Sequence, residues 1–245
     1  MRSESTPELG ARYWAILCVA SVAGCNLGDF VSLHLHLGHW IGLFPILGVF
    51  VALVFVEKRA RASEGWYWTM VIVVRTAATN AADLLTHTFQ LDYSWVIAAL
   101  QALQVLVVLG ASTLSTDVEH TRYPKPLVNS WYWASLMMAG TLGTAIGDCV
   151  ADQFHLGTGW GTLVLSVPVV AILAVGFVTR WAAKATYWFA VIAIRSAGTT
   201  AGDWLADSSV GLLVSTCLSC AAFVAIVLIW RASPRHSTPA LSASL

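Results

Sequence analysis

Charge is scarce in this chain. Of its 245 residues only 11% are charged, against 58% hydrophobic, and the mean hydropathy is +0.73. A soluble domain carries about a quarter charged residues, so the scarcity points to a polytopic membrane protein. No stretch is polar enough and long enough to form a separate soluble domain. Lysine is rarer still: Lys58, Lys125 and Lys184 are the three, and none lies inside an apolar run. That excludes a retinal Schiff base within the membrane. The five cysteines are odd in number and irregularly spaced, which excludes a disulfide framework. Cys217-Leu-Ser-Cys220 has a redox-like spacing but no Pro or Gly turn, so two small packing residues are expected there.

What is present is long apolar runs. A spanning helix needs about 20 mostly apolar residues, and eight candidates occur, at 12–35, 40–56, 66–89, 95–115, 131–154, 160–179, 186–207 and 209–230. Basic residues collect at alternate junctions: Arg2 and Arg12; Lys58, Arg59 and Arg61; Arg122 and Lys125; Arg180 and Lys184; Arg231 and Arg235. The other four junctions have none. By the positive-inside rule both termini are expected in the cytoplasm. Eleven of the thirteen basic residues follow the rule. The exceptions, Arg75 and Arg195, lie deep within spans and are therefore functional suspects.

The odd-numbered spans repeat one another. They begin YWAILCVASVAGCNLGD, YWTMVIVVRTAATNAAD, YWASLMMAGTLGTAIGD and YWFAVIAIRSAGTTAGD, with one spacing from Tyr13 to Asp29, Tyr67 to Asp83, Tyr132 to Asp148 and Tyr187 to Asp203. Each unit is one signature helix and one plainer return helix, so the repeats run parallel. Units two and four share Arg75 and Arg195, while units one and three share His-Leu-Gly at 36–38 and 155–157. The expected organisation follows. A tail at 1–11 precedes a four-helix half at 12–115 (units 12–56 and 66–115). A cytoplasmic linker at 116–130, with Pro124 and Pro126, leads to a second half at 131–230 (units 131–179 and 186–230) and a tail at 231–245. The fold class is an all-α polytopic membrane protein of four parallel two-helix repeats.

The pattern Tyr-Trp, then Gly-x3-Gly-Asp, then Leu-Gly resembles a bacterial family of multi-pass uncharacterised membrane-anchored proteins with four copies of a repeat of unknown function. The resemblance covers about 12–230 and implies an inner-membrane location and this architecture, but no reaction. Where some relatives carry Glu four residues before the first Asp, this chain has Cys25.

The residues themselves suggest the chemistry. The four Tyr-Trp pairs are expected to anchor helices at the cytoplasmic interface. Small residues one and five before each Asp (Gly24/Gly28, Ala78/Ala82, Gly143/Gly147, Gly198/Gly202) are expected to form a close-packed seam. Each Asp lies about 24 Å beyond its Tyr along the helix, toward the non-cytoplasmic end. Positions four and eight before it, and four and seven after it, fall within about 80° of its direction. They hold Cys25, Thr79, Thr144 and Thr199; Ser21, Arg75, Gly140 and Arg195; Leu33, His87, Asp152 and Asp207; and His36, Gln90, His155 and Val210. A polar stripe on a lipid-embedded helix must face protein or water. Four such faces would form a polar cavity open to the outside, with the two arginines as a positive plug beneath it. Its crowded acids repel one another, which favours holding protons.

The expected transport or ion-binding residues are therefore Asp29, Asp83, Asp148, Asp203, Arg75 and Arg195. Cys25, Thr79, Thr144, Thr199, Asp152 and Asp207 are expected around them. Among the histidines at the Asp end, His36, His87 and His155 are candidate ligands for a metal such as Zn²⁺ or Mn²⁺, although none has an H-x-x-x-H spacing. The function expected is a membrane transporter, proton-coupled or for a divalent metal. The alternative is a non-transporting scaffold or sensor. An enzyme is not expected: NLGD, AIGD and TAGD miss the first Gly of an intramembrane aspartyl protease. The expected partners are the lipid bilayer and a small cation or solute, with no nucleic acid. No cofactor is expected beyond a divalent metal as substrate or ligand, and a homo-oligomer is left open.

Val22-Ala23-Gly24-Cys25 has the local form of a lipoprotein cleavage site. Its glycine spacing recurs at Gly143/Gly147 and Gly198/Gly202, where no signal peptide can lie, so a packing seam is expected instead.

Overall fold

The computed structural model describes residues 7–59, 63–110, 128–179 and 184–232, with side chains described except at 56–59, 184 and 231–232. The linker expected at 116–130 lies outside them except for its last three residues, and so does most of the tail at 231–245. Arg2, Arg61, Arg122, Lys125, Arg180 and Arg235, which carry much of the charge pattern, lie outside them as well.

Eight α-helices and no strand form the described chain: α1 (Ala11–Asp29), α2 (Gly38–Arg59), α3 (Glu64–Asp83), α4 (Tyr93–Gly110), α5 (Ser130–Asp148), α6 (Gly157–Thr179), α7 (Lys184–Asp207) and α8 (Gly211–Ala232). Side-chain caps start two of them. Ser63 accepts from the Trp66 amide at 3.3 Å and Asn129 from the Tyr132 amide at 2.8 Å, each satisfying an orphan donor of the first turn. Pro45 and Pro168 sit inside α2 and α6.

Six of the eight, namely α1, α2, α4, α5, α6 and α8, are long and apolar enough to cross a membrane. In α3 and α7 the arginine, the acid and the Thr and Asn residues dilute the apolar content. Those polar groups are turned inward: Arg75, Thr79, Asn80, Arg195, Thr199 and Thr200 are all buried.

Helices α1, α3, α5 and α7 form a closed inner ring in that order, each touching the next and α7 returning to α1. The return helices pack outside it with an offset. Helix α2 lies on α3, α4 on α5, α6 on α7, and α8 on α1, so each covers the next signature helix around the ring. The outer helices leave large apolar side chains exposed, among them Phe44, Trp95, Leu109, Val167, Val178 and Ile229. An apolar belt of this extent is unfavourable in water and suits lipid.

Glycine sets how closely the inner helices approach. A Cβ at Gly24 would run into the Arg75 side chain, one at Gly143 into that of Arg195, and one at Gly198 into Ser21. Gly140 faces Ala78 in the same way. The small-residue seam thus joins α1 to α3, α3 to α5, α5 to α7 and α7 to α1. Cys25 lies buried within it.

Just beyond Asp29, Asp83 and Asp148 the helices widen by one residue per turn, over Phe30–His34, Leu84–Thr88 and Cys149–Gln153. The Leu35, Phe89 and Phe154 amides bond the carbonyls five residues back, at 3.0, 2.9 and 3.0 Å. The chain then leaves the helix at a left-handed residue: His36 (φ 55°), Gln90 (φ 52°) and His155 (φ 56°). This explains the shared His-Leu-Gly. Its first residue ends the helix in the left-handed conformation, and its glycine (φ 67° at Gly38, 68° at Gly157) starts the next one.

Candidate functional site

The axis of the inner ring is polar at three levels. At one end the four signature tyrosines meet. Their hydroxyls form a closed square, Tyr13 to Tyr67 at 2.9 Å, Tyr67 to Tyr132 at 2.5 Å, Tyr132 to Tyr187 at 2.9 Å and Tyr187 to Tyr13 at 2.8 Å. All four residues are fully buried. Each hydroxyl can donate to one neighbour and accept from the other, a cyclic arrangement that polarises every bond in it. Each tryptophan packs on the tyrosine of the preceding unit: Trp68 on Tyr13, Trp133 on Tyr67, Trp188 on Tyr132 and Trp14 on Tyr187, with ring centroids 5.5–5.9 Å apart.

The expectation that these pairs anchor helices at the interface is therefore wrong. In a sequence an aromatic ring near a helix end suits an interface or a core equally well. Here the identical spacing in four parallel helices brings the four hydroxyls to one level, where they satisfy one another and close the axis.

The second level holds Arg75 and Arg195, carried by α3 and α7 on opposite sides of the ring, and both are fully buried. They occupy the same repeat position but not the same environment. Arg75 donates to Thr79 Oγ1 (2.9 Å), Thr144 Oγ1 (2.7 Å), Thr199 Oγ1 (2.7 Å) and the Ser21 carbonyl (3.3 Å). Its guanidinium is turned toward the acids and acts electrostatically on all four. All three nitrogens of the Arg195 guanidinium lack a hydrogen-bond partner. It lies instead in the electrostatic range of Tyr13, Tyr132, Tyr187 and Cys18.

The sequence explains the asymmetry. Exchanging the two halves maps Thr79, Thr144 and Thr199 onto Thr199, Cys25 and Thr79. The image of Thr144 available to Arg195 is thus a thiol, a weak acceptor. The threonine row serves one arginine, and Cys25 decides which.

The third level is the acids, which form two unlike pairs rather than an even ring. Asp29 and Asp203 are half-buried and share Cys25, whose thiol lies 3.9 Å and 3.7 Å from their carboxylates. Asp83 and Asp148, at 6% and 8% exposure, converge with His87. In each group the potential ligand atoms lie within 4.8 Å of one another.

His39 Nδ1 stands 3.5 Å from Asp83 Oδ2, a neighbour that sequence reasoning missed. Its place two residues beyond the shared His-Leu gave no helical register from which to predict the contact. Asp152 and Asp207 are exposed, facing Tyr93 (3.5 Å) and Thr158 (3.4 Å) on the outer helices. Of the histidines expected to bind metal, His87 joins a group. His36 and His155 are exposed and join neither. The reason is geometric: the widened turn and the left-handed residue take the chain off the helix before the seventh position is reached.

Asn80 and Asn26 also escaped prediction. Asn80 Nδ2 donates to the Gly28 carbonyl at 3.1 Å, joining α3 to α1, and Asn26 Nδ2 donates to Ser219 Oγ at 3.4 Å, joining α1 to α8. Their shared position, three before the Asp, was the available signal. Cys217 and Cys220 are both free thiols on α8.

Residues 131–181 and 186–236 each match the family model of a Repeat of Unknown Function (DUF347). The two matched copies take in α5 with α6 and α7 with α8. No curated protein and no solved structure matches the chain.

Proposed function

We propose that the protein is an integral membrane transporter of a small cation, with the four aspartates as its binding chamber. The observation that carries this reading is the convergence of Asp29, Asp83, Asp148 and Asp203 at one end of a ring whose other end is closed by tyrosine hydroxyls. Carboxylates inside a membrane protein are costly unless they bind something. These have no arginine or lysine bonded to them among the described residues.

In this reading α3 and α7 also span the membrane, giving eight spans. The four Tyr-to-Asp segments are four copies of one parallel two-helix repeat, two of them divergent from the matched family model. The location is a bacterial inner membrane. The basic junctions lie on the cytoplasmic side together with both termini, which puts the tyrosine ring inside and the acids outside. A cation enters the acid chamber and exchanges water for carboxylate oxygens. Below it, Arg75 held by three threonines repels the ion and blocks leak. Passage requires Arg75 to leave the threonine row and the tyrosine square to open.

The test is uptake by proteoliposomes containing the wild type or each of D29N, D83N, D148N and D203N. Loss of uptake with retained folding is expected for every variant. Undiminished uptake in all four removes the reading. In a non-transporting scaffold or sensor the tyrosine square is a permanent seal, and the wild type itself takes up nothing.

A further inference from the structure

The two acid groups differ in chemistry. We propose that Asp83, His87 and Asp148 form a binding site for a first-row transition-metal dication, with His39 as a positioning residue beside Asp83. As the identity of a transported substrate this rests on the reading above; as a binding site it stands alone.

Four observations carry it. The donor set is mixed, two carboxylates and one imidazole, with ligand atoms within 4.8 Å of one another. Asp148 Oδ2 is buried and has no hydrogen-bond partner, although its residue is only 8% exposed. A carboxylate oxygen held away from water needs a cation or a donor. His39 Nδ1 lies 3.5 Å from Asp83 Oδ2 and is not engaged in any hydrogen bond, so a small rotation lets it donate to that carboxylate and orient it as outer-sphere partners of metal ligands do. Finally, His87 is exposed while both acids are buried, so an ion can reach the acids past the imidazole.

The donor set also narrows the ion. Imidazole adds little for Ca²⁺ or Mg²⁺, which take six or more oxygens, whereas it suits Mn²⁺, Fe²⁺, Co²⁺ and Zn²⁺. Bonds of about 2.1 Å place tetrahedral ligands about 3.4 Å apart. Ligand atoms that already lie within 4.8 Å of one another therefore need to draw together by no more than about 1.4 Å, which small rotations allow. The neighbouring Cys25–Asp29–Asp203 group offers a thiol instead and serves as an internal control, because a thiolate ligand gives cobalt a distinct charge-transfer absorption.

The test is titration of the chelator-stripped, detergent-purified full chain with Co²⁺, followed by calorimetry and absorption. One Co²⁺ is expected, with ligand-field bands and no thiolate charge transfer. H87Q, at an exposed position that tolerates the change, and D148N should each weaken binding by about 100-fold, and H39Q by about 10-fold, while H155N, at an exposed histidine in neither group, stays within about threefold of wild type. Absence of Co²⁺ binding by the wild type overturns the proposal, as does binding that survives H87Q and D148N or carries a thiolate band. Co²⁺ binding without uptake of any cation supports the site and removes the transport reading. Uptake of monovalent cations without Co²⁺ binding does the reverse.

Discussion

Arg75 and Arg195 allow one position to be compared with itself. Replacing either with Met removes a buried charge but keeps Cβ and Cγ, so the contacts with Gly24 and Gly143 remain. The desolvation relieved is similar, since both residues are fully buried, and it cancels in the comparison. The hydrogen bonds do not cancel. R75M loses three good bonds to threonine hydroxyls at 2.7–2.9 Å and a longer one to the Ser21 carbonyl. R195M loses none. Interhelical bonds in membranes contribute about 0.6 kcal/mol on average and up to about 1.7. Three of the four Arg75 bonds cross between helices, to Thr144, Thr199 and the Ser21 carbonyl, and therefore place R75M about 2–5 kcal/mol below R195M. R195M itself should match or exceed the wild type in stability, as removal of an uncompensated buried charge allows. Equilibrium unfolding by SDS titration in mixed micelles measures both. Equal stabilities, or a less stable R195M, would refute the assignment of the threonine row to Arg75.

The same reasoning extends to neighbouring positions. In a Cys25→Thr background the row regains a hydroxyl for Arg195, so the gap between R75M and R195M should shrink in the same titration. Tyr67→Phe removes two bonds of the tyrosine square and should lower stability by about 1–3 kcal/mol, with increased passive cation leak from proteoliposomes; an interfacial anchor would show neither change. Gly24→Ala would place a Cβ 2.8 Å from the Arg75 Cβ, and it should cost about 1–3 kcal/mol as α1 and α3 are forced apart.

The sequence made the helices and their repeat legible, because apolar runs of spanning length and a fixed Tyr-to-Asp spacing survive without tertiary context. The small-residue seam could be read for the same reason, since a helix presents every fourth residue to one neighbour. What escaped depended on contacts between units. Tyr13 and Trp14 fit an interface as well as a core, and only the ring order of α1, α3, α5 and α7 decides between them. Arg75 and Arg195 look interchangeable in sequence, yet the thiol of Cys25 on another helix separates them. His36 and His155 were placed on the polar stripe by extending a regular helix through residues where it widens and ends. His39 was missed because it opens the following helix, and its approach to Asp83 follows from α2 packing on α3 rather than on α1.

The central claim is that the paired acids hold a transported cation. Its most direct test is cation accumulation by proteoliposomes containing either the wild type or the combined D29N/D83N/D148N/D203N variant, at matched protein content and with folding verified by size-exclusion chromatography. The account predicts accumulation by the wild type and none above protein-free vesicles for the fourfold variant. Equal accumulation by the two, or none by the wild type for any mono- or divalent cation, would contradict it.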